Sequence, residues 1–567
     1  MYHKRYNTLC FLALALSTAC SDQRYTDHLV LRSNYRLSAT RIESLFASLQ
    51  KEAWVGTRLS KTKRNTVLFT ANTGARDGVY EYDPNSGTIS ARLTPKDGDC
   101  SYAAEVGGQL YALCDRYGNE QYRLLDSEGR EFLHDLDGKH RLYASPSGQH
   151  GLLVVRRLGS STLLLFNHAD TVQIAAQVTL PGDYQGHTFL RDERDVFIGT
   201  NRGAYWLEVR TGRARQAIPE WAQEVVSPTL DDARERIFFA SAGKTSFREI
   251  YFLPLREEGL PQLFLESNQD KNFLQIEGDF LYYIENNTNR YFLKKIHVSN
   301  KDITSLTQEG VVYNFVSVDG EPIYVQANER HPYALYRFRS GQSSKLFGAE
   351  RARRMRTQII DPEDLSPAWY FSPEKEPKAT LLWVHGGPDI DISPRWDPYL
   401  EAWLALDLEV VAPNYPGSRG YGLAHMLQPS QVTLEDLYGW LRKLRADSPH
   451  RPIFIDGLSY GGNLVKAILQ QESERITCAI VRSSGSTNDD PFLTDRAKLP
   501  ILYLLGRNDR LVPTLQLLEG IDAWAKRSKD VYYRIYRQEG HILHGRPALL
   551  DALHSMAWFL DQCLARS

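Results

Sequence analysis

Between about residue 66 and about residue 348, short apolar runs alternate with polar positions and are punctuated by Gly, Asp and Asn turns. Val67-Leu68-Phe69-Thr70-Ala71 opens the series. Equivalent runs begin at Gln109, Gly151, Asp195, Arg236, Asp279 and Glu321. Two-residue periodicity of this kind marks half-buried strands, and its return roughly every 40 residues is the length of a four-stranded propeller blade. Seven such units predict a seven-bladed β-propeller, because each blade can bury its faces only against its neighbours. One or two β-sandwiches would also give evenly spaced short strands, but not the regular recurrence.

From Lys378 the period changes. Apolar strands are expected at 380–384, 409–412, 452–455, 477–481, 501–505 and 531–536, with helices between them. One helix is expected to begin at the capping pattern Thr433-Leu434-Glu435-Asp436. Strands alternating with helices predict an α/β-hydrolase-like, doubly wound α/β sheet. Before the repeats, residues 38–53 carry Ile42, Leu45, Phe46 and Leu49 at helical spacing, which suggests a helix packed on the C-terminal domain.

The first residues pattern as an export signal. His3-Lys4-Arg5 precede a short apolar run, residues 9–16, too short to span a bilayer. Leu16-Ser17-Thr18-Ala19-Cys20 then resembles a bacterial lipobox, with Cys20 as the lipid-bearing residue. Ser17 and Leu16 depart from the usual order, so an ordinary secretory peptide is the alternative. Residence in the periplasm or outer membrane, held by lipid, is expected, and Ser21 after the cysteine would favour outer-membrane sorting in a Gram-negative host. The expected division is a signal segment 1–20, an N-terminal segment 21–60, a propeller 61–350 and a hydrolase domain 351–567.

Composition adds little that is specific. The 567 residues carry a formal net charge of −2, with 42% hydrophobic and 24% charged residues, so no nucleic-acid partner is expected. The six cysteines include Cys10 and Cys20 in the leader. A two-residue turn at Gly107-Gly108 pairs Ser101 with Cys114, which puts Cys100 and Cys114 on opposite faces; both this pairing and Cys478–Cys563 stay open. No spacing suggests a metal or cofactor site. The basic run Arg351-Ala352-Arg353-Arg354 reads as a solvated connector.

The chemistry concentrates in Gly457-Leu458-Ser459-Tyr460-Gly461-Gly462. A serine between glycines, after an apolar strand and before a helix, is the context of a nucleophile elbow. A serine hydroxyl needs a base, and His541 after Gly540 is the candidate, preferred over His544. Asp509, just past the strand at 501–505, would orient the imidazole, giving the order Ser, Asp, His of α/β-hydrolases. Tyr460 would offer its backbone N–H to an oxyanion. Two further glycine clusters, His385-Gly386-Gly387-Pro388 and Gly417-Ser418-Arg419-Gly420-Tyr421-Gly422, could bring backbone near substrate.

Taken together, these motifs resemble the prolyl oligopeptidase family of serine peptidases over the chain from about residue 30 onward. The resemblance implies a peptide-hydrolysing enzyme whose propeller restricts access to short or flexible peptides. It also implies oxyanion contacts from the Tyr421 hydroxyl, the Tyr460 N–H and the strand-end loop at Gly387. Two departures limit it. Ser459 and Asp509 are only 50 positions apart, which removes most of the segment that forms the pocket beside the scissile bond, so proline preference does not carry over. The stretch between Tyr421 and Thr433 is also short. Glu257-Glu258 reads as a turn, so no exopeptidase mode is assigned. Two alternatives are an isopeptidase or esterase like the lasso-peptide isopeptidases, and a catalytically idle lipoprotein binding a partner through its propeller. The oligomeric state is left open.

Overall fold

The chain is described here by a computed structural model. The described residues are Leu49 and 53–566, apart from 117–120, 169–171, 219–222, 257–258, 350–354, 485–498, 522–529 and gaps of one or two residues. The export signal, Cys20, Glu257-Glu258, the basic connector and His544 lie outside them.

Seven four-stranded antiparallel units follow one another over 54–93, 100–136, 139–181, 184–216, 226–265, 271–305 and 311–347. Units six and seven share one parallel pairing, Tyr291 with Val311. The repeat is an energetic unit as well. Each junction between successive units has its own apolar cluster, such as Leu68 and Val79 with Ala112 and Leu125, or Leu153 and Phe166 with Tyr111 and Leu113. The seventh unit returns to the first through Val318, Ile323 and Leu335 packed on Val55, Val67 and Phe69. The Val55 N–H donates to the Tyr333 carbonyl at 3.0 Å across the same seam. The propeller is therefore a ring of apolar interfaces, closed by packing between its first and last blades.

The first blade begins with the strand Trp54–Lys61, inside the segment assigned to the N-terminal region by the boundary at 61. A register shift between Val55 and Leu59 breaks its alternation, which is why its pattern was not legible. Of the predicted N-terminal helix only Leu49 is described. It is fully buried among hydrolase-domain residues, including Phe371, Trp403 and Phe559.

The C-terminal domain is one eight-stranded sheet, numbered in chain order β1 (Arg356–Ile360), β2 (Ala368–Ser372), β3 (Ala379–Val384), β4 (Leu408–Pro413), β5 (Ile453–Leu458), β6 (Cys478–Arg482), β7 (Ile501–Gly506) and β8 (Val531–Tyr536). Its order is β1-β2-β4-β3-β5-β6-β7-β8, parallel from β4 onward along that path and antiparallel at β1 and β2. Five helices are described: α1 (Pro398–Ala405), α2 (Leu423–Met426), α3 (Ser430–Asp447), α4 (Tyr460–Glu472) and α5 (Arg546–Leu564). α1 and α5 cover one face, while α3 and α4 cover the other. α1 starts where its composition dictates, with Pro398 at the first helical position and the Asp397 carboxylate accepting from the N–H groups of Tyr399 and Leu400.

The capping pattern at Thr433 does not start α3. The helix begins at Ser430, and Thr433 lies inside its first turn with its hydroxyl donated to the Pro416 carbonyl at 2.6 Å. A tertiary acceptor outcompetes the local cap.

Two disulfides are described. Cys100 bonds to Cys114, although a regular hairpin would place them on opposite faces. The register is regular from Val106–Gln109 to Tyr102–Leu113, then Cys100 faces Cys114; a bulge at Ser101 turns the cysteine back. Cys478 in β6 bonds to Cys563 in α5, fastening the C-terminal helix to the sheet.

Candidate active site

β5 is buried until its last residue and delivers the chain to Ser459, which adopts φ 55° and ψ −121° before α4 begins at Tyr460. A non-glycine residue in that region carries local strain of about 1–3 kcal/mol. The surrounding glycines make the turn possible. A Cβ on Gly461 would lie 2.2 Å from the Val384 carbonyl oxygen and 2.3 Å from that of His385. A Cβ on Gly457 would lie 2.4 Å from the Gly461 oxygen, and one on Gly462 would lie 2.5 Å from the Ser484 Cβ. The helix start can pass over the ends of β3 and β5 only as bare backbone.

The three residues singled out as nucleophile, base and orienting acid come together. Ser459 Oγ is 2.8 Å from His541 Nε2, and His541 Nδ1 is 2.8 Å from Asp509 Oδ2. The other Asp509 oxygen accepts from the N–H groups of Leu511 and Val512, both at 2.9 Å, which fixes the carboxylate. With Asp509 accepting from Nδ1–H, Nε2 is the lone-pair nitrogen and takes the serine proton. His541 and Asp509 are buried, whereas Ser459 is partly exposed to an approaching substrate. The N–H of Tyr460 opens α4, whose first amides have no intrahelical acceptor and no side-chain cap. They form the positive end of the helix beside the nucleophile.

Beneath the elbow, Arg482 forms a buried ion pair with Asp456, its Nε 3.0 Å from Oδ1, and its carbonyl accepts from Ser459 N–H at 2.8 Å. No motif announced this support.

At the strand-end loop, Gly386 is the glycine that borders Ser459: its added Cβ would be 3.4 Å from the serine Cβ. Gly387 lies one residue on, at φ 122°, where a Cβ would meet the loop's own Asp389 and Ile390 nitrogens. His385 before them is buried and flat against Tyr415, ring centres 4.1 Å apart. Its Nδ1–H donates to the Gly386 carbonyl (2.7 Å), and Nε2 accepts from Ser418 (2.8 Å). Burial pushes its pKa down to about 4.

The far half of the third glycine cluster faces the propeller. The Tyr421 hydroxyl donates to Asn289 Oδ1 at 2.5 Å, and Asn289 belongs to the propeller. Thr288 and Asn289, both with positive φ, make the two-residue turn of a hairpin in the sixth blade. Asn289 is fully buried in hydrolase-domain loops. Its Nδ2 donates to Asp391 (2.9 Å) and to the Arg419 carbonyl (3.2 Å), and its Oδ1 also accepts from Asn414 (2.8 Å). A Cβ on Gly420 would strike the Asn289 and Asn286 amides at 2.6 and 2.7 Å, and one on Gly422 would strike Ser246 Oγ at 2.6 Å. These glycines clear room for the propeller, and the Tyr421 proton is committed to it. An Asn-rich hairpin turn was the only signal in the sequence.

The fold and site together define a propeller-capped α/β-hydrolase. Residues 375–566 match the family described as serine aminopeptidase, S33. In fold and domain order the chain is similar to solved structures of peptidases. A puromycin-hydrolysing peptidase of Mycobacterium tuberculosis superposes with a TM-score of 0.71 at 16% identity, over 92% of this chain and 96% of that one. A prolyl endopeptidase structure gives 0.73 at 15% identity, over 92% of each chain. The acylamino-acid-releasing enzyme of Mus musculus is 25% identical over a 216-residue alignment that spans only 30% of either chain.

Proposed function

We propose that the chain is an exported serine peptidase that hydrolyses short or flexible peptides through an acyl-enzyme, with access limited by the propeller. The observation that carries this reading is the continuous hydrogen-bonded series Asp509–His541–Ser459 at the head of α4. His541 removes the hydroxyl proton as Ser459 Oγ attacks the carbonyl, and Asp509 stabilises the imidazolium formed. The Tyr460 N–H receives the developing oxyanion. His541 then returns the proton to the leaving amine, and a water molecule repeats the sequence to release the acid.

Export is supported by the leader pattern and by two disulfides, which persist in oxidising compartments. The lipobox-like run Leu16–Cys20 is the ground for assigning membrane attachment to lipid on Cys20; among the described residues no helix is long and apolar enough to cross a membrane. Detergent dependence unchanged in Cys20→Ser would remove that assignment.

The test of activity is digestion of a mixed peptide library by the wild-type protein and by Ser459→Ala. New termini from the wild type alone support the reading, with folded proteins left intact. Hydrolysis of esters or isopeptides without any peptide cleavage would favour the specialised isopeptidase or esterase reading, and no hydrolysis of either would favour a binding lipoprotein.

A further inference from the structure

The innermost strands of all seven blades enclose an axial cavity of about 370 Å³. That volume falls within the roughly 300–1,000 Å³ of small-ligand sites. Among the described residues its wall carries two guanidinium groups, Arg58 from the first blade and Arg141 from the third, and no acidic side chain. Arg58 lies 5.3 Å from the ring centre of Tyr102 and 5.8 Å from that of Tyr313, and Arg141 lies 5.7 Å from that of Tyr184.

Other propeller arginines show how this chain satisfies such a group. Arg248 meets Glu224 at 2.7 Å, and Arg236 meets Asp231 at 2.9 Å. Among the described residues no carboxylate pairs with Arg58 or Arg141: Arg58 faces tyrosines, and Arg141 faces tyrosines and has the cation Arg156 nearby. Phenol faces hold the cations in place without neutralising them. Two unneutralised cations in a walled cavity focus a positive potential on its lumen, within a molecule whose net charge is −2. Guanidinium forks match carboxylates in a bidentate fashion, and the tyrosines offer flat surface and hydroxyls for the adjoining chain.

A run of packed side chains links the residues beside the cavity to the catalytic domain. Tyr313 packs edge-on against Tyr333 at 5.6 Å, and Arg395 of the hydrolase domain lies 5.3 Å from the Tyr333 ring centre.

We propose that the axial cavity of the propeller is a carboxylate-binding site, and that it selects acidic peptides through Arg58 and Arg141. The inference rests on the peptidase reading for the ligand's being a peptide; the binding itself does not require turnover.

The test uses the full chain with Ser459→Ala, so that nothing is consumed. A fluorescent Gly-Glu-Glu-Gly amide and its Gly-Gln-Gln-Gly counterpart are titrated by anisotropy at low and moderate salt. The acidic peptide is expected to bind about tenfold or more tighter, with the preference shrinking as salt rises. In Arg58→Gln/Arg141→Gln the preference should vanish, and in Arg58→Lys/Arg141→Lys part of it should return. Equal affinity for the two peptides would overturn the proposal, as would a preference that survives in the glutamine double variant. Tighter binding of inorganic phosphate than of the acidic peptide would overturn the peptide assignment. Should the double variant not fold, the isostere comparison on the unmodified wall still decides. Fluorophosphonate labelling of the Arg variants with Ser459 intact is read separately. An acidic preference in a chain whose serine never labels sinks the peptidase reading alone, and labelling without the preference sinks the cavity assignment alone.

Discussion

Two glycine-rich loops of this protein look alike as sequence and do opposite work. In Gly457–Gly462 the missing side chains let α4 start over the ends of β3 and β5, which leaves Ser459 at φ 55° with its hydroxyl on His541. In Gly417–Gly422, Gly420 lets a turn of the sixth blade sink between hydrolase loops, where Asn289 accepts the Tyr421 hydrogen bond, and Gly422 clears Ser246 of the fifth blade. One set of glycines serves the reaction centre, and the other joins the two domains. A glycine cluster says that backbone is approached closely; the neighbour that approaches decides what the cluster is for.

The comparison can be broken first at the elbow's partners. Asp509→Asn should keep the fold but leave His541 in the wrong tautomer, lowering the turnover rate by about 10⁴-fold. A loss below tenfold would remove Asp509 from the role given to it. Gly461→Ala comes next. Its methyl group would meet two backbone carbonyl oxygens near 2.2 Å, so a loss of about 3 kcal/mol in urea denaturation is expected, with active-site labelling lost alongside. Unchanged stability would mean that the crossing is looser than described.

His385 touches both loops, since its carbonyl faces Gly461 and its Nε2 accepts from Ser418. Its folded-state pKa of about 4 lies below the ordinary 6.5, so the unfolded chain binds the extra proton first as pH falls. Stability should therefore drop between pH 6.5 and 4, by about 3 kcal/mol, and then level off. Urea midpoints across that range should flatten in His385→Gln; an identical slope in both proteins would contradict the assignment. The smallest effect is expected at the second loop. Gly420→Ala should cost about 1–2 kcal/mol by displacing Asn289, while Ser459 labelling stays within about threefold of wild type. A loss of labelling equal to that of Gly461→Ala would erase the distinction between the loops.

The periodic parts of this molecule were legible and the singular ones were not. Seven recurring apolar runs announced seven blades, because every blade solves the same burial problem with the same alternation. The strand, serine and helix of the elbow were equally readable, since that geometry needs glycine at fixed places. The antiparallel strands Arg356–Ile360, at the sheet edge, and Ala368–Ser372 beside it were missed; the first is mostly exposed and has no clean alternation. The bulge at Ser101, the start of α3 ahead of Thr433 and the docking of Asn289 each depend on a partner distant in sequence. Tyr421 illustrates the limit: its place in a glycine-rich motif pointed to substrate, while its hydrogen bond runs to the propeller.

The central claim is that Ser459 is a nucleophile activated by His541. Treatment with a fluorophosphonate, followed by peptide mass spectrometry, tests it most directly. The account predicts a single adduct on the peptide containing Ser459, absent in His541→Ala. An adduct on another serine, or a folded wild-type protein that never reacts, would contradict it.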